Sequence, residues 1–277
     1  MHTDLENFLA SFPFAPTTKD TYRRALLQLP PTENLTAADL VNFISKPEWS
    51  SNTQYTALCA VRKFIAWRHG KNHPALSARI KRIKPKPQRV LTKDLALKLL
   101  ASFDTSTAIG CRDLAIAALA LDTGLRCSEL CRISIEDLEI IQRHLRVIVK
   151  GGQWKAAIFS QQTSMYLSAW LTHRQAKKTS ALFLSYHHTC AGQPLTREGL
   201  QGIVKQWGRS IGIKLSPHDF RRSFATLSTI FGAPSRVVQV AGRWSTLDMV
   251  EHYTESLKAD EIDPYLPVSN LTPLYTA

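Results

Sequence analysis

The sequence predicts a mainly α-helical chain built as two domains, the second an α+β domain whose helices carry a small antiparallel sheet. Three observations predict it. Apolar residues recur at helical spacing through most of the 277 residues, and 44% of the chain is hydrophobic, which suffices for a sizeable core. A basic, proline-interrupted stretch, KRIKPKPQRV, separates two blocks of that patterning. One pair of β-prone runs flanks Gly151-Gly152 in HLRVIVKGGQWKAAIFS, a hairpin signal.

The elements follow in order. The first helix is expected in TTKDTYRRALLQLP, where Tyr22, Ala25, Leu26 and Leu29 share one face. In TAADLVNFIS, Thr36 and Asp39 form a capping box ahead of a stripe of Leu40, Phe43 and Ile44. In SNTQYTALCAVRKFIAWRHG, Tyr55, Leu58, Val61 and Ile65 share a face, and Gly70 is a C-cap. A fourth short helix is expected over ALSARIKRI, completing a compact module over residues 1–80. Residues 81–91 then hold Lys81, Arg82, Lys84, Lys86 and Arg89 with two prolines and no acid. This stretch reads as an interdomain linker, or as a solvated basic loop within one domain. Its functional reading is a strap along a phosphate backbone.

The second domain, 92–277, opens at LTKDLALKLLASF with Thr92 as cap. CRDLAIAALALDTG is an apolar helix ending at Gly124. After the hairpin, helical patterns resume in TSMYLSAWLTHRQA, TREGLQGIVKQWGRSIG, PHDFRRSFATLSTIFG, PSRVVQVAGRWS and GRWSTLDMVEHY. No internal repeat or low-complexity segment interrupts them.

Charge narrows the class of partner. The formal net charge is +13, with 14 basic against 6 acidic residues in 1–90 and 21 against 16 in the remainder. A balance of this size favours a polyanion such as nucleic acid, without saying what happens to it. No apolar run approaches the roughly 20 residues of a membrane span. The N-terminus, MHTDLENFLASFPF, is acidic where a secretory signal is basic, so no membrane partner and a cytoplasmic location are expected. Cys59, Cys111, Cys127, Cys131 and Cys190 form no CxxC pair and read as reduced thiols. His187, His188 and Cys190 in HHTC lack a second cluster at zinc spacing, so no metal site is expected.

Four places carry polar groups that a core does not need. Arg126 follows the glycine-ended helix in LDTGLRCSELCRI, with Glu129 three residues on. Lys150 sits at the mouth of the hairpin in VIVKGGQWK. His218 and Arg221 stand three apart at a helix start in LSPHDFRRSFATL. Trp244 precedes Tyr253 by nine residues in GRWSTLDMVEHY. Taken singly, each has an ordinary explanation: a local ion pair, a solvated lysine, a structural histidine, a packing tyrosine.

Taken in order, TGLRCSEL, VKGGQWK, HDFR and GRW followed by Tyr253 resemble the motifs of the tyrosine recombinase, or phage integrase, family. The motifs cover 119–253. The resemblance implies an N-terminal helical core-binding domain that contacts DNA and a catalytic domain of the DNA breaking-rejoining type. It implies double-stranded DNA with specific recombination sites as partner and a homotetramer on that DNA. Accessory DNA-bending proteins are compatible with this scheme. The first helix, expected after residue 15, leaves no evident room for an additional arm-binding domain.

The chemistry of phosphoryl transfer accounts for the residue types. Arg126 and Arg221 would bracket the equatorial oxygens with fork-like donors. His218 would donate to the same oxygens or handle the nucleophile's proton. Lys150 would protonate the departing 5′-oxygen, and Trp244 would donate its indole N–H and pack the nucleophile's helix. Glu129 would orient Arg126 or His218. Tyr253 would attack as a phenolate and leave a 3′-phosphotyrosine that a second hydroxyl reseals. No cofactor is expected, since there is no GxxxxGK[ST] loop and no acidic cluster suited to a metal. Trp244 stands where histidine is more usual in the family, Lys155 where arginine often ends the hairpin motif, and Arg222 where histidine is frequent. Two other readings stand beside this one: a type IB topoisomerase relaxing supercoils with a similar residue set, and a DNA-binding regulator with a vestigial site.

Overall fold

The computed structural model describes residues 2–81, 89–149, 152–175 and 179–254, and of 2 and 252–254 the backbone alone. The chain divides into two compact units, Met1–Lys86 and Pro87–Ala277.

The first unit packs α1 (His2–Ala10), α2 (Pro16–Leu26), α3 (Ala37–Ile44) and α4 (Ser51–His69), closed by a 3₁₀ turn at Pro74–Ser77. Local chemistry sets the starts. Pro16 occupies the first turn of α2, where its missing N–H is harmless. Thr36 and Asp39 exchange hydrogen bonds as a reciprocal cap on α3. Ser50 caps α4, and Gly70 ends it at φ 84°. The core joins Leu5, Phe8 and Leu9 to Leu26, Leu40, Ile44, Val61, Phe64 and Ile65.

Three expectations change here. A helix, α1, precedes residue 15, and its Leu5, Phe8 and Leu9 lie on one face against α2 and α4. No helix spans 75–83: the 3₁₀ turn stops at Ala78, and the Arg79 guanidinium donates to the carbonyls of Leu76 and Ala78. Those acceptors are ones a continuing helix would have used. Tyr55 is 38% exposed, because α4 buries Ala57, Ala60 and Phe64 alongside Leu58, Val61 and Ile65.

The second unit comprises α5 (Lys93–Ala101), α6 (Ala108–Thr123), α7 (Cys127–Leu130), a 3₁₀ turn at Ile135–Asp137, β1 (Leu138–Glu139), β2 (His144–Ile148), β3 (Trp154–Ile158), α8 (Gln161–His173), α9 (Arg197–Ile211), α10 (Pro217–Ile230), α11 (Ser235–Ala241) and α12 (Asp248–Thr254). α6 is its spine. It buries residues on every side and packs against α5, α8, α10 and β3. An apolar helix without a polar face belongs in the middle of a domain. The sheet is antiparallel in the order β1-β2-β3, with Leu145 opposite Ala157 and Val147 opposite Lys155. Leu145, Val147 and Ala157 face the core, while Arg146, Ile148 and Trp154 face out. β1 was not anticipated; two residues carry no readable period.

Of the expected linker, 82–88 lies outside the described residues. Its end is not loose: Leu91 is fully buried in the second unit's core, and its N–H donates to Ser223 Oγ at 2.7 Å. Among the described residues, no helix is long and apolar enough to cross a membrane.

Candidate active site

Three junctions of the second unit converge: the C-terminus of α6 with α7, the first turns of α10, and the turn between α11 and α12. Thr107 caps the start of α6, and Gly124 ends it at φ 57°, a left-handed value that glycine adopts without strain. The chain then reverses so that Arg126 becomes the N-cap residue of α7.

Arg126 is held by Glu129 at two points. Its backbone N–H donates to Glu129 at 2.8 Å, and its Nη1 donates to the other carboxylate oxygen at 2.7 Å. The Glu129 side chain is 4% exposed and that of Arg126 39%. The acid is therefore buried behind the arginine, and the guanidinium points outward with its direction fixed. A charge-assisted pair of this kind sets orientation as well as energy.

α10 starts at Pro217, with Asp219 accepting from both the Ser216 N–H and its hydroxyl. His218 follows the proline and is exposed. Partial desolvation by its neighbours lowers its pKa from the usual histidine value although the ring reaches solvent, and the positive charges of Arg222, Arg221 and Arg126 push it the same way against Asp219. Arg222 pairs with Asp219 at 2.7 Å.

Arg221 is 1% exposed. Its Nη1 donates to the Gly124 carbonyl at 2.5 Å and its Nη2 to the Gly242 carbonyl at 2.7 Å. Its guanidinium lies 4.3 Å over the Trp244 ring. Trp244 in turn stacks on Phe224, with centroids 6.0 Å apart at 21°. This packing explains both glycines. A Cβ on Gly124 would come within 2.6 Å of the Phe224 ring, and one on Gly242 within 1.8 Å of the Trp244 ring. Phe224, Trp244 and Val250 share a small core with Ala225 and Val238, and this fastens α12 to α10 and α11.

Arg126, Glu129, His218, Arg221 and Trp244 thus come together. Tyr253 lies in the last turn of α12, three residues beyond the buried Val250, and its side chain is outside the described residues. Lys150 is also outside them; on either side of it, the Val149 N–H donates to the Gln153 carbonyl and the Gly152 N–H to the Val149 carbonyl, closing the hairpin. Of the expected basic strap, Lys81 is exposed and Arg82, Lys84 and Lys86 are not described. Arg89 is exposed, yet its guanidinium donates to the Lys214 carbonyl. Lys155 is exposed on β3.

Sequence reading missed Arg243. Its Nη2 donates to the Thr123 carbonyl at 2.7 Å and its Nη1 to the Ala241 carbonyl at 2.8 Å. Burial lowers its pKa from the ordinary arginine value; Glu129 opposes this and Arg126 adds to it. Arg126, Arg221 and Arg222 gather around His218, and Arg243 lies beside Arg126 and Glu129; with Glu129 and Asp219 as counter-charges an excess of positive charge is left. Such a site favours an anion. Among the described residues there is no group of three or more side chains suited to holding a metal ion.

Comparisons with known proteins bear on the family and the fold. The family model described as "Phage integrase family" matches residues 89–260, more than half the chain. The tyrosine recombinase XerD of Listeria innocua is 32% identical over 185 residues, covering 64% of this chain and 61% of that protein. The XerD of Staphylococcus haemolyticus is 33% identical over 176 residues, covering 61% of this chain and 58% of that protein. The matched stretch therefore spans about three-fifths of the length of these relatives. Among solved structures, the Tn1549 transposon integrase in complex with transposon right end DNA superimposes with a TM-score of 0.75 at 15% identity, covering 95% of this chain and 97% of that one. XerH recombinase bound to its palindromic difH substrate gives 0.73 at 19% identity, covering 91% and 80%. At these identities the structures establish the fold. The chain belongs to the phage integrase, or tyrosine recombinase, family.

Proposed function

We propose that the protein is a site-specific recombinase that breaks and rejoins double-stranded DNA through a 3′-phosphotyrosine on Tyr253. The observation that carries this reading is the convergence of Arg126, His218, Arg221 and Trp244 on the face where α12 packs.

The Tyr253 phenolic oxygen attacks the scissile phosphorus, and the bond to the 5′-oxygen breaks. Arg126, aimed outward by Glu129, and Arg221, its plane fixed by two carbonyls, hold the nonbridging oxygens as charge builds there. His218, kept neutral by its surroundings, donates an N–H to the same oxygens or receives the phenolic proton. Lys150 supplies the proton that the departing 5′-oxygen takes up. The phosphotyrosine retains the phosphodiester's energy, so a 5′-hydroxyl from the exchanging strand reseals the backbone and returns the proton. In this scheme neither a nucleotide nor a metal ion is consumed. Trp244 keeps α12 against α10, so that the nucleophile's helix and Arg221 move as one body.

The wider assignments belong to the same proposal. The basic N-terminal unit supplies salt-dependent phosphate contacts, protomers act as a homotetramer on two sites, and the protein works in the cytoplasm. The test is covalent capture on a pool of nicked duplexes of randomised sequence. A denaturation-resistant protein–DNA adduct that enriches particular sequences supports the proposal. Enrichment by binding alone, with no adduct, overturns it in favour of a DNA-binding regulator.

A further inference from the structure

Among the described residues, the non-glycine positions with positive φ are Arg143 and Arg243, each at φ 57°. Arg143 sits in the turn joining β1 and β2, where such values are ordinary. Arg243 stands just past the C-terminus of α11, where its N–H donates to the Val240 carbonyl and that of Trp244 to the Gln239 carbonyl, a left-handed helix end that glycine usually fills. An arginine in the left-handed region is strained, and strain of this kind gathers at functional sites.

The backbone is not the only unfavourable feature. The guanidinium is largely desolvated, and its Nε–H is buried without an acceptor. In return it makes hydrogen bonds to the carbonyls of Thr123 and Ala241 and is attracted to Glu129. Thr123 is the last residue of α6, and Ala241 the last of α11. Arg221 spans the adjacent pair, Gly124 and Gly242. Two arginines therefore lace the end of α6 to the turn that leads into α12. One strand of the lacing lies on Trp244, and the other lies beside Arg126 and Glu129.

The neighbouring glycine sharpens the point. Gly242 would take the left-handed conformation freely, yet it adopts φ −81° and leaves that conformation to the arginine. Gly242 is needed where it is because the Trp244 ring rests on its Cα. A glycine at 243 would relieve the strain, and only the guanidinium would be lost.

We propose that Arg243 is a positioning residue for phosphoryl transfer: its guanidinium sets the distance between the Arg126–Glu129 pair and the turn that carries Trp244 and leads to Tyr253. This rests on the recombinase reading above. Arg243 acts through its neighbours and touches backbone carbonyls, so it is not a catalytic residue. A plain helix cap would stabilise α6 equally well but would not couple its loss to the rate of cleavage.

The test uses the full chain and a nicked duplex enriched by covalent capture. Arg243→Gly keeps the backbone conformation, so its thermal unfolding midpoint should equal or exceed that of the wild type. At saturating DNA its first-order rate of adduct formation should fall roughly 10- to 100-fold, the scale of a small misplacement at a reacting centre. Affinity for the same duplex should be unchanged. Methylguanidinium at millimolar concentration should restore part of the rate, and Arg243→Lys, with charge but no fork, should be intermediate. A rate equal to wild type in Arg243→Gly overturns the inference. So does a parallel loss of midpoint, binding and cleavage that Arg243→Lys restores together, which is a purely structural role. A wild type that forms no adduct overturns the recombinase reading and this inference with it, whereas a wild-type adduct with an indifferent Arg243→Gly overturns this inference alone.

Discussion

Replacing Glu129 by glutamine probes the one contact that fixes the direction of Arg126. The carboxylate accepts the Arg126 backbone N–H at 2.8 Å and its Nη1 at 2.7 Å, and it is nearly inaccessible to water. Glutamine keeps the shape and one acceptor oxygen but turns an NH₂ toward one of those donors. One charge-assisted hydrogen bond is lost, worth about 1.5–3 kcal/mol when both partners are buried. Arg126 is more than one-third exposed, and water recovers part of that. The net loss of stability is then about 1–2 kcal/mol, which for a unit of this size lowers the unfolding midpoint by roughly 2–8 °C. The effect on rate is larger in kind, because a loosened Arg126 no longer meets the phosphate in one orientation. At about 1.4 kcal/mol per tenfold, cleavage slows roughly 10- to 100-fold with DNA affinity retained. The assay is single-turnover adduct formation in a double-mutant cycle of Glu129→Gln with Arg126→Ala. If Glu129 acts through Arg126, the double variant is no slower than Arg126→Ala alone. Multiplying rate defects would refute the reasoning, as would a Glu129→Gln protein that cleaves at the wild-type rate.

Other consequences follow from the same geometry. Arg221→Lys keeps a charge but cannot bridge the Gly124 and Gly242 carbonyls, so the protein should lose about 1–3 kcal/mol in urea titration and cleave ~10²–10³-fold more slowly at saturating DNA. Gly242→Ala drives a methyl into the Trp244 ring and should cost about 1–3 kcal/mol, seen as a lower unfolding midpoint, with Gly242→Ser no better. His218 titrates below its unfolded value, so the folded chain binds that proton less readily than the unfolded chain. Its contribution to stability is fully present above about pH 6.5 and is lost as pH falls through the folded value. His69 in the first unit is displaced in the same direction, by burial and the nearby charges of His73 and Arg68. His218→Gln should therefore remove only part of the acid-side slope in urea midpoints, and an unchanged slope would contradict a lowered pKa at His218.

Much of the second unit was legible because its signals are local and redundant. Gly124 after an apolar run, Thr92 as cap, and the Gly151-Gly152 hairpin each follow from one or two residues whose backbone preferences admit few alternatives. The Arg126–Glu129 pair was legible because residues three apart at a helix start face each other. In the first unit, α1 was missed although Leu5, Phe8 and Leu9 have helical spacing, because the segment is short and its helix depends on packing against α2 and α4. Where a helix was expected over 75–83 the chain leaves a 3₁₀ turn, Ala75 and Ala78 bury in the first unit's core and Arg79 donates to the carbonyls of Leu76 and Ala78, contacts that periodicity does not encode.

At the site, residue types were readable but their states were not. Arg221 was expected beside Arg126 as a phosphate clamp, yet its burial and its two carbonyl bonds arise from a chain reversal that brings residues 124 and 242 together. Arg243 was invisible for a related reason. From the sequence, the glycine of a Gly-Arg pair is the natural left-handed residue, and a Trp ring packed on that glycine reverses the assignment.

The central claim is that Tyr253 is the nucleophile, and one measurement addresses it directly. The captured protein–DNA adduct is digested with protease and nuclease, and the modified peptide is sequenced by mass spectrometry while the freed DNA end is tested for phosphorylation by a polynucleotide kinase. A nucleotide joined through its 3′-phosphate to Tyr253, a 5′-hydroxyl on the released strand, and no adduct from Tyr253→Phe are expected. An adduct on another residue, a linkage through a 5′-phosphate, or an adduct that survives in Tyr253→Phe would contradict the claim.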